Sequence, residues 1–377
     1  MSLRSGFMEL IGYKVRTIGL METLRVGALD LTDKTQHLLG KRNPQRELAA
    51  RSIQIECTTR CNLKCTMCEI AYWTEKGGDL RFDSLERMVE HLPGLRRVDL
   101  TGVGESLMNR DFLRGVELLK SKGIYITLND NFTLMTERTA RKIIDLGLDQ
   151  ILLSLDGATK ATYESIRVGA NFEMVLANAR GLTRIKRELG KRKPEFKINT
   201  VVSLTNYKEL TGIVELARDL GVGMVSMVNI ITFGDTAGLG TESIEREVRE
   251  AYDQAVRRGR ELGVLVKIEL FDKLPVSQCD FPWTRNFVTY DGYVHPCCYT
   301  TQTGDRQAQN RRAFGNILER PFEDIWRSEG YTEFRRKMKA GILPYACTHC
   351  PKYTGRPETA PEAAVTVGRS LPVLGQK

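Results

Sequence analysis

Four of the nine cysteines stand close together in the stretch ECTTRCNLKCTMCE (56–69). Cys61, Cys65 and Cys68 have the spacing C-x3-C-x2-C. Three thiolates on one short loop can bind three irons of a 4Fe–4S cluster and leave the fourth iron without a protein ligand. A structural zinc site needs four ligands, for which Cys57 is the available fourth. Cys57 stands in the apolar pattern IQIEC, so we expect a buried and inert thiol there.

The other five cysteines form a second group in the last third of the chain. They are Cys279, Cys297, Cys298, Cys347 and Cys350, with the spacing C-x17-CC-x48-C-x2-C. One C-x2-C pair and two distant cysteines supply four thiolates, enough for a fully ligated iron–sulfur cluster or for zinc. Composition does not separate the two, and His349 inside the C-x2-C pair keeps zinc open.

Composition places the chain among globular proteins, with 41% hydrophobic and 27% charged residues. The formal net charge of +9 permits an anionic partner without requiring nucleic acid. Aromatic residues do not alternate with the basic clusters, as a groove for single strands needs. Apolar runs are too short to span a bilayer, and Glu9 and Lys14 interrupt a secretory signal. We therefore expect a cytoplasmic protein, in which clustered cysteines indicate metal binding or catalysis.

Strand and helix patterns alternate over the first two thirds of the chain. Strands are predicted at 52–57, 97–104, 123–130, 150–157, 196–203 and 224–231, and the clearest helices at 111–123 and 136–147. The second of these helices has a start signal at Thr136 and a stop signal at Gly147. Alternating strands and helices predict a parallel sheet. About six units fit, fewer than the eight of a closed TIM barrel, so we expect an α/β fold with an open, partial (β/α)6 barrel.

Changes in residue composition and in the strand and helix patterns divide the chain into five expected regions. They are a helical extension (1–48), the partial barrel (49–240), a connecting helix (241–263), a small α+β auxiliary domain (264–353) and a disordered tail (354–377). Leu20, Leu24 and Leu31 mark an apolar stripe in the extension. The pair Asp291-Gly292 predicts a tight turn in the auxiliary domain. The tail is rich in Pro, Ala and Gly.

The motif CNLKCTMC after the first strand of a βα series resembles the signature of the radical S-adenosylmethionine (radical SAM) superfamily. Met67 stands where that signature usually has an aromatic residue. The resemblance covers about residues 50–235. It implies that Cys61, Cys65 and Cys68 bind the catalytic 4Fe–4S cluster, and that the open iron binds the amino and carboxylate groups of SAM.

Three later stretches are also similar to motifs of this superfamily. They are TGVGESLMNRDF (101–112), LNDNFTLM (128–135) and SLDGATKATYESIR (154–167), and the implied SAM-binding residues are Gly102, Gly104, Glu105, Asn131, Ser154, Asp156 and Arg167. The resemblance implies that Glu105 accepts a hydrogen bond from the SAM ammonium group. Ser154 and Arg167 would hold the SAM carboxylate, with Asp156 more structural. Ser106 and Phe132 depart from the family pattern, which has Pro and Gly there.

The second cysteine group resembles the SPASM/twitch auxiliary domain of radical SAM maturases. The similar stretches are CDFPWTRNFVTYDGYVHPCCY, FGNILERPFEDIWRSEGYTEFRRKM and CTHC. The implied ligands of one auxiliary 4Fe–4S cluster are Cys279, Cys297, Cys347 and Cys350, with Cys298 as the alternative to Cys297. A second auxiliary cluster is not expected, because no cysteine follows Cys350.

The resemblance implies an enzyme that reductively cleaves SAM to a 5′-deoxyadenosyl radical, which takes a hydrogen from the substrate. A fully ligated auxiliary cluster favours electron acceptance. We therefore expect a net oxidative modification, a dehydrogenation or C–C or C–S bond formation, of a small molecule or a peptidyl side chain. Reduced ferredoxin or flavodoxin is the expected electron donor.

Two other readings stay open. One is a radical SAM enzyme that modifies lipid or RNA: the basic N-terminal extension leaves membrane contact open, whereas the lack of a basic and aromatic module argues against nucleic acid. The other is a zinc- or cluster-carrying binding protein, in which Glu105, Ser154 and Arg167 would have no role. Asp235 and Tyr299 are polar residues near the expected cavity ends, and neither is assigned as the base for a substrate proton.

Overall fold

The computed structural model of the protein describes residues 3–42, 51–71, 73, 76–232, 234–268, 273–301, 306–348, 350 and 352–358. The helices are α1 (Leu3–Ile18), α2 (Leu20–Arg42), α3 (Phe82–Glu90), α4 (Phe112–Ser121), α5 (Glu137–Asp145), α6 (Lys160–Ile166), α7 (Phe172–Glu188), α8 (Leu210–Asp219), α9 (Glu245–Leu262), α10 (Phe281–Thr284), α11 (Arg306–Arg311), α12 (Phe322–Trp326) and α13 (Glu329–Lys339). The strands are β1 (Ser52–Ile55), β2 (Arg97–Asp99), β3 (Tyr125–Asp130), β4 (Gln150–Ser154), β5 (Glu195–Val202), β6 (Met224–Asn229), β7 (Leu265–Ile268), β8 (Leu274–Pro275), β9 (Asn286–Val288), β10 (Val294–His295), β11 (Ile342–Leu343), β12 (Tyr353–Thr354) and β13 (Arg356–Pro357).

Nine strands form one sheet in the order β10-β9-β1-β2-β3-β4-β5-β6-β7. Strands β1 to β7 are all parallel to their neighbours, and helices connect them. Over the described residues β1 pairs with β2 and β9 rather than with β7, so the barrel stays open. The predicted α/β fold with a partial barrel is confirmed.

Local sequence signals set the helix ends where they were predicted. The Thr136 hydroxyl accepts the backbone N–H of Thr139 at 3.2 Å and caps the start of α5. Gly147 and Gly123 follow α5 and α4 with φ of 72° and 71°, a left-handed conformation that glycine adopts without a steric penalty.

The series of alternating strands and helices has one strand more than the six predicted units, since it runs from β1 to β7. Strand β7 pairs with β6 in register Met224↔Leu265, although it falls in the stretch assigned to the auxiliary domain. Helix α9 leads into β7 and buries Val248, Tyr252 and Ala255. Its charged outer face dominates the sequence pattern, and β7 is only four residues long, so the sequence did not reveal the unit. We propose that the barrel ends after Ile268 rather than before 264.

Helices α1 and α2 cover the amino-terminal end of the sheet. Asp30 of α2 forms an ion pair at 2.8 Å with Arg97, the first residue of β2. Glu22 of α2 forms another at 2.8 Å with Lys193, just before β5. The active sites of such barrels lie at the opposite, carboxyl end of the strands. The N-terminal helices therefore close the end of the barrel that is remote from the catalytic end.

The buried face of these helices is not the leucine stripe. Tyr13, Ile18 and Val26 are buried against the barrel. The leucines of the stripe, Leu20, Leu24 and Leu31, are 59%, 59% and 66% exposed. A helical apolar pattern identifies a face but does not tell which face meets the protein.

The auxiliary segment is joined to the barrel through β1. Strand β9 runs parallel to β1, and β10 returns antiparallel to β9. The predicted turn at Asp291-Gly292 connects β9 and β10, and Gly292 has φ of 94°. An aromatic group built on Trp326, Tyr331 and Phe334 fills the core behind this hairpin.

The C-terminal region is described as far as residue 358. Strand β13 of the predicted tail pairs with β11, and the remainder of that tail lies outside the described residues. Across the described ranges, the structure contains no helix that is both long enough and apolar enough to span a membrane.

Candidate active site

A cavity of about 380 Å³ opens at the carboxyl ends of the parallel strands. Six successive strand ends contribute to its lining: Cys61, Cys65 and Cys68 after β1, Gly102, Gly104 and Glu105 after β2, Asn129 to Asn131 on β3, Ser154 on β4, Val201 on β5, and Val228 to Ile231 on β6. Arg167 also lines this cavity. The structure thus brings all three cysteines and most of the predicted SAM-binding residues to one space.

Cys57 lies apart from this cavity. It is 4% exposed and belongs to the hydrophobic core, and its carbonyl oxygen accepts hydrogen bonds from Leu80 and Asn109. Burial raises the pKa of its thiol to about 12. The predicted burial of Cys57 is confirmed.

The loop that carries the three cysteines is held against the loop after β2. The backbone N–H of Glu105 donates to the carbonyl of Arg60 at 2.8 Å. A Cβ atom on Gly104 would lie 2.4 Å from the carbonyl oxygen of Thr58 and 2.6 Å from that of Arg60. Only glycine allows the two backbones to approach this closely. The sequence predicts that Gly104 lets the backbone approach a ligand closely. The structure shows that Gly104 also lets the loop after β2 approach the cysteine loop closely.

The other side of the cysteine loop is held by the end of α6. The N–H groups of Lys64 and Thr66, on either side of Cys65, donate to the carbonyls of Val168 and Ile166, both at 2.9 Å. Two backbone hydrogen bonds leave Cys65 little freedom to move. The loop is therefore held on this side by the backbone at the end of α6.

Two buried carboxyl groups face each other beside the cysteine loop. Oε2 of Glu105 accepts the N–H of Asn131 at 2.9 Å, and Oδ1 of Asp130 accepts the N–H of Phe132 at 2.6 Å. The remaining oxygens, Oε1 of Glu105 and Oδ2 of Asp130, have no donor among the other described residues, and the two side chains hydrogen-bond to each other when Glu105 carries a proton. Burial, together with the interaction between the two groups, raises the pKa of Glu105 well above its usual value, and burial raises that of Asp130. A cationic hydrogen-bond donor would satisfy the free oxygens.

The side chain of Asn131 is engaged with the protein. Its Nδ2 donates to Asn62 at 3.1 Å, and its Oδ1 accepts the hydroxyl of Thr133 at 2.6 Å. Phe132, which stands at the family glycine, has φ of 61°, a conformation that side-chain-bearing residues rarely adopt. Phe132 thus has a backbone conformation that glycine adopts more readily, and Asn131 connects the end of β3 to the cysteine loop.

Arg167 is the buried cation of the cavity. Its guanidinium donates to Asp156 at 2.7 Å through Nε and pairs with the same carboxylate at 2.5 Å through Nη2. Nη1 lies 4.0 Å from the sulfur of Cys65. Burial opposes the charge, but Asp156 and Cys65 hold the pKa of Arg167 above its usual value. Asp156 is fully buried and does not line the cavity, whereas Ser154 does.

These groups fit a 4Fe–4S cluster with SAM. Three thiols line one wall, and burial raises the pKa of Cys61 and Cys68 to about 11 and about 12, so metal binding must displace their protons. Glu105 and Arg167 line the same space, and Oε1 of Glu105, a buried atom, has no donor among the described residues. They match the ammonium and carboxylate groups of an amino acid ligand.

Two polar residues of the cavity were missed by sequence reasoning. Glu69 is 7% exposed, its Oε2 has no partner among the described residues, and burial raises its pKa to about 8. Oδ1 of Asn129 is buried and is equally without a partner in the described part of the chain. A carboxylate in the apolar stretch CEIAYW was the available signal for Glu69, while Asn129 gave none.

A second cavity of about 340 Å³ contains the auxiliary cysteines. Cys279, Cys297, Cys347 and Cys350 all line it, together with apolar side chains such as Val276, Phe281, Phe334 and Met338. Cys298 does not line this cavity. It lies within electrostatic range of Asp99 and Arg285, and burial raises its pKa to about 11. The arrangement favours Cys297 over Cys298. His349 lies outside the described residues.

Tyr299 and Ile231 line both cavities. The ring of Tyr299 stacks on Phe281, with the ring centroids 6.1 Å apart. Tyr299 and Ile231 form part of the wall between the cavity of the auxiliary cysteines and the three-cysteine cavity. The side chain of Asp235, the other polar candidate, is not among those described.

A buried ion pair connects the two regions. Oε2 of Glu56, at the end of β1, accepts Nη2 of Arg306 at 2.5 Å and the N–H of Tyr290 at 3.3 Å. Both charged groups are buried. A Cβ atom on Gly102 would lie 2.4 Å from Cγ of Glu56, so this glycine makes room for the ion pair. Sequence reasoning could not find a pair separated by 250 positions.

Comparison with protein-family models gives two matches. Residues 55–217 match the model of the radical SAM superfamily. Residues 279–351 match the model of SPASM, an iron–sulfur cluster-binding domain. The first match contains the three-cysteine loop, and the second contains all four cysteines of the auxiliary cavity.

Individual relatives extend over most of the chain. The tungsten-containing aldehyde ferredoxin oxidoreductase cofactor-modifying protein of Pyrococcus furiosus is 28% identical over 79% of this chain and 86% of its own length. An AdoMet-dependent heme synthase of Methanosarcina barkeri is 26% identical over 80% of this chain and 91% of its own length.

Solved structures share the fold at low sequence identity. Streptococcus suis SuiB, bound to the precursor peptide SuiA, has a TM-score of 0.60 and 15% identity, covering 84% of this chain and 72% of SuiB. The enzyme anSMEcpe with bound AdoMet and the Cp18Cys peptide has a TM-score of 0.58 and 20% identity, covering 76% of this chain and 83% of that one.

Proposed function

Because the chain belongs to the radical SAM superfamily and carries a SPASM auxiliary domain, we propose that it carries out a net oxidative modification of a small molecule. Enzymes of this kind use 4Fe–4S clusters and SAM. The finer assignments, the residues and the reaction, are proposals argued from the two cavities.

The observation that carries the proposal is the set of residues that line the three-cysteine cavity. Cys61, Cys65 and Cys68 would hold the cluster, and the free oxygen of Glu105 would accept the SAM ammonium group. Arg167, held by Asp156, would bind the SAM carboxylate, with Ser154 beside it. Gly102 and Gly104 leave room behind this wall for Glu56 and for the backbone of the cysteine loop. Asn131 would act indirectly, by tying β3 to the cysteine loop.

When bound, the reduced cluster supplies the electron that cleaves SAM to methionine and a 5′-deoxyadenosyl radical, which abstracts a hydrogen from the substrate. The residues of this chain have the other tasks. They align the bound molecules, and the apolar side chains Leu63, Val228 and Ile230 help to exclude water from the cavity.

The auxiliary cavity supports a net oxidation. Four cysteines leave no ligand position for a substrate, so electron acceptance is the better role for a cluster held there. We propose Cys297 rather than Cys298 as the cluster ligand, because Cys297 lines the same cavity as Cys279, Cys347 and Cys350. The shared wall at Tyr299 puts the two sites next to each other.

The substrate is proposed from two kinds of relatives. Both sequence relatives described above carry names for small-molecule or cofactor chemistry, at 26% to 28% identity over about four fifths of this chain. This favours a dehydrogenation or a C–C or C–S bond formation on a small molecule. A peptidyl side chain is the second candidate, because SuiB and anSMEcpe were solved with peptides bound. The proposed reductant is a ferredoxin or flavodoxin, in keeping with the net charge of +9.

Detection of 5′-deoxyadenosine tests the proposal. The protein is reconstituted with iron and sulfide without oxygen, reduced with dithionite and given SAM, and the product is measured by mass spectrometry. We expect about eight irons per chain and product above a no-enzyme control.

The matched control replaces only the three loop cysteines. Cys61→Ala/Cys65→Ala/Cys68→Ala is expected to keep about half of the iron and to lose all SAM cleavage. Zinc with little iron, or cleavage that survives in the triple variant, would contradict the proposal.

A further inference from the structure

One carboxyl group of the three-cysteine cavity has no task in the proposed function. It belongs to Glu69, the residue directly after Cys68, and it lines the cavity together with the loop cysteines. We propose that Glu69 binds the substrate, and that the substrate is a small molecule that carries an amino group. This inference rests on the proposed function, because it takes the cluster and SAM to occupy the rest of the cavity.

Glu69 is buried without a partner. Its side chain lies almost entirely out of contact with water, and its Oε2 atom has no hydrogen-bond partner among the described residues. The described part of the chain also gives Glu69 no ion pair. A buried carboxyl group is costly to leave without donors, and more costly when it carries a charge. The site therefore lacks a group that brings both hydrogen-bond donors and a positive charge.

The backbone holds Glu69 in its place. Glu69 begins a short 3-10 turn, Glu69–Ala71, that continues the cysteine loop. The N–H of Cys68 donates to the carbonyl of Cys65 at 3.0 Å, and the N–H of Ala71 donates to the carbonyl of Cys68 at 3.1 Å. Ile70, the next residue, is buried. A ligand therefore meets a carboxyl group that the fold has already positioned, which lowers the entropic cost of binding.

Glu69 lies apart from the residues proposed to hold the amino acid end of SAM. Those residues are Glu105 and Arg167. Neither is among the described charged groups that act electrostatically on Glu69, which are Glu56 and Arg306. The ammonium and carboxylate groups of SAM therefore leave Glu69 to another ligand.

The side of the cavity at Glu69 is the side toward the auxiliary segment. Arg306, which begins α11 of that segment, pairs with Glu56 at 2.5 Å. Tyr299 of the same segment lines both cavities. In the proposed function the substrate must lie within reach of SAM and of the auxiliary site, to which it gives an electron. Glu69 thus stands where a substrate-binding group is needed.

The chemistry of a buried carboxyl group selects an amine. An ammonium group offers several N–H donors together with a positive charge, whereas a hydroxyl group offers a single donor and no charge. Hydrogen bonds between charged groups are roughly twice as strong as those between neutral groups. A carboxylate or phosphate group at this position would be repelled. The cavity should therefore prefer an amine over the matching alcohol.

The test compares two probes that differ in one group. D-glucosamine carries an ammonium group where D-glucose carries a hydroxyl, and polar side chains of the cavity wall, such as Thr101 and Asn129, suit a hydroxylated ring. Each radiolabelled sugar is offered to the reconstituted full-length protein with SAM in equilibrium dialysis. We expect the unmodified protein to bind glucosamine about tenfold more tightly than glucose.

The Glu69→Gln variant keeps the size of the side chain and removes its charge. We expect it to bind glucosamine about tenfold more weakly, with glucose binding changed by less than about twofold. Glu69→Asp keeps the charge on a shorter side chain and should retain part of the preference for glucosamine. The matched control is Glu86→Gln, the same change at an exposed residue of α3, which should bind both sugars as the unmodified protein does.

Iron content and SAM affinity are measured on the same samples, because Glu69 adjoins Cys68. Both should be the same in Glu69→Gln as in the unmodified protein. If Glu69→Gln loses iron, the iron-loaded Glu69→Asp variant decides, and an undiminished preference for glucosamine there would count against the inference.

Three results would overturn the inference. They are no binding of either sugar by the unmodified protein, a preference for glucosamine that survives in Glu69→Gln, and a loss of SAM affinity as large as the loss of glucosamine affinity, which would assign Glu69 to SAM. These readouts do not depend on SAM cleavage. If the unmodified protein holds neither iron nor SAM, then the proposed function has failed instead.

Discussion

Arg167 is the buried cation of the three-cysteine cavity. It is buried, close to the sulfur of Cys65, and neutralised by Asp156, which also accepts the N–H of Val201 at 2.7 Å. A buried charge that loses its partner costs about 3–5 kcal/mol of stability. Asp156 therefore determines whether Arg167 can stay charged and in place.

Replacing Asp156 by asparagine should affect SAM more than iron. Asp156→Asn keeps the shape of the side chain but leaves the Arg167 charge without its partner. We expect about tenfold weaker SAM binding, measured by equilibrium dialysis on the reconstituted protein, and a lower melting temperature. Iron content should stay the same. Unchanged SAM affinity would show that Arg167 does not need Asp156.

Phe132 combines an unfavourable backbone with a favourable side chain. The backbone conformation at φ of 61° costs about 1–2 kcal/mol for a residue with a Cβ atom. The fully buried ring stacks on Phe196 with a centroid distance of 5.3 Å, and deleting such a ring costs about 3–5 kcal/mol. The side-chain contribution is larger, which explains how a phenylalanine replaces the family glycine.

The Phe132→Gly variant tests this balance directly. We expect a net destabilisation of about 2–3 kcal/mol in denaturant unfolding of the metal-free protein, since relief of the backbone offsets only part of the lost packing. Phe132→Ala keeps the strain and loses the ring, so it should be less stable than Phe132→Gly. The opposite order would mean that the backbone at this position carries no strain.

Asp99 makes stability depend on pH. Burial raises its pKa from 3.8 to about 6, so the folded protein holds this proton more tightly than the unfolded chain does. The stability that Asp99 contributes is present below about pH 4 and is lost as the pH rises through about 6. Between pH 4 and pH 7, unfolding by denaturant should show that the wild type loses about 2 kcal/mol relative to Asp99→Asn, which has no charge to bury. A constant difference between the two proteins would contradict the shift.

At the scale of elements, the cysteine loop is held by its neighbours rather than by its own structure. The loop after β2 contacts it at Gly104, α6 holds it on both sides of Cys65, and β3 reaches it through Asn131. Each contact comes from a different strand end of the barrel. A loop held in this way would lower the entropic cost of binding a cluster.

The Gly104→Ala substitution should push the loop after β2 and the cysteine loop apart. Gly104→Ala places a Cβ within 2.4–2.6 Å of two carbonyl oxygens of the cysteine loop, which must then move. We expect iron to fall to about half, with the auxiliary share retained, and SAM cleavage to be lost. Gly94→Ala is the control, because a Cβ there meets nothing within 4 Å. Full iron content in Gly104→Ala would show that the loop can adjust.

At the scale of the whole molecule, the auxiliary domain completes the barrel sheet. Strand β1 has β2 on one side and β9 on the other, and the buried Glu56–Arg306 pair joins the same two regions. Removing the auxiliary domain would expose the backbone of β1 along its edge. Unpaired edge strands promote association with other chains.

A chain that ends at Ile268 should therefore not behave as an independent barrel. We expect it to form aggregates in size-exclusion chromatography with light scattering, and to lose iron from the SAM site although all three loop cysteines are present. The full chain with Arg306→Met is the milder comparison: it should stay monodisperse but be destabilised, because Glu56 is left buried and unpaired. A monodisperse truncated chain would argue that β9 is dispensable for the barrel.

Sequence reasoning succeeded where the signal was local. Helix ends followed from Thr136 and Gly147, and the parallel sheet followed from alternating strands and helices. The cysteine groups followed from their spacing. It failed where the information lies in distant contacts: the Glu56–Arg306 pair spans 250 positions, and the shared wall at Tyr299 depends on how two regions pack. It also failed at β7, which is only four residues long and follows a highly charged helix. At the leucine stripe it failed because a periodic pattern does not show which face is buried.

The pairing of β1 with β9 also sets an order of events during synthesis. Strand β9 leaves the ribosome about 230 residues after β1, which takes roughly 10–50 s at the usual rates of translation. For that time β1 has an unpaired edge, and three of the four proposed auxiliary ligands, Cys297, Cys347 and Cys350, have not yet been made. We therefore expect an auxiliary cluster to be inserted only after the chain has been made past Cys350.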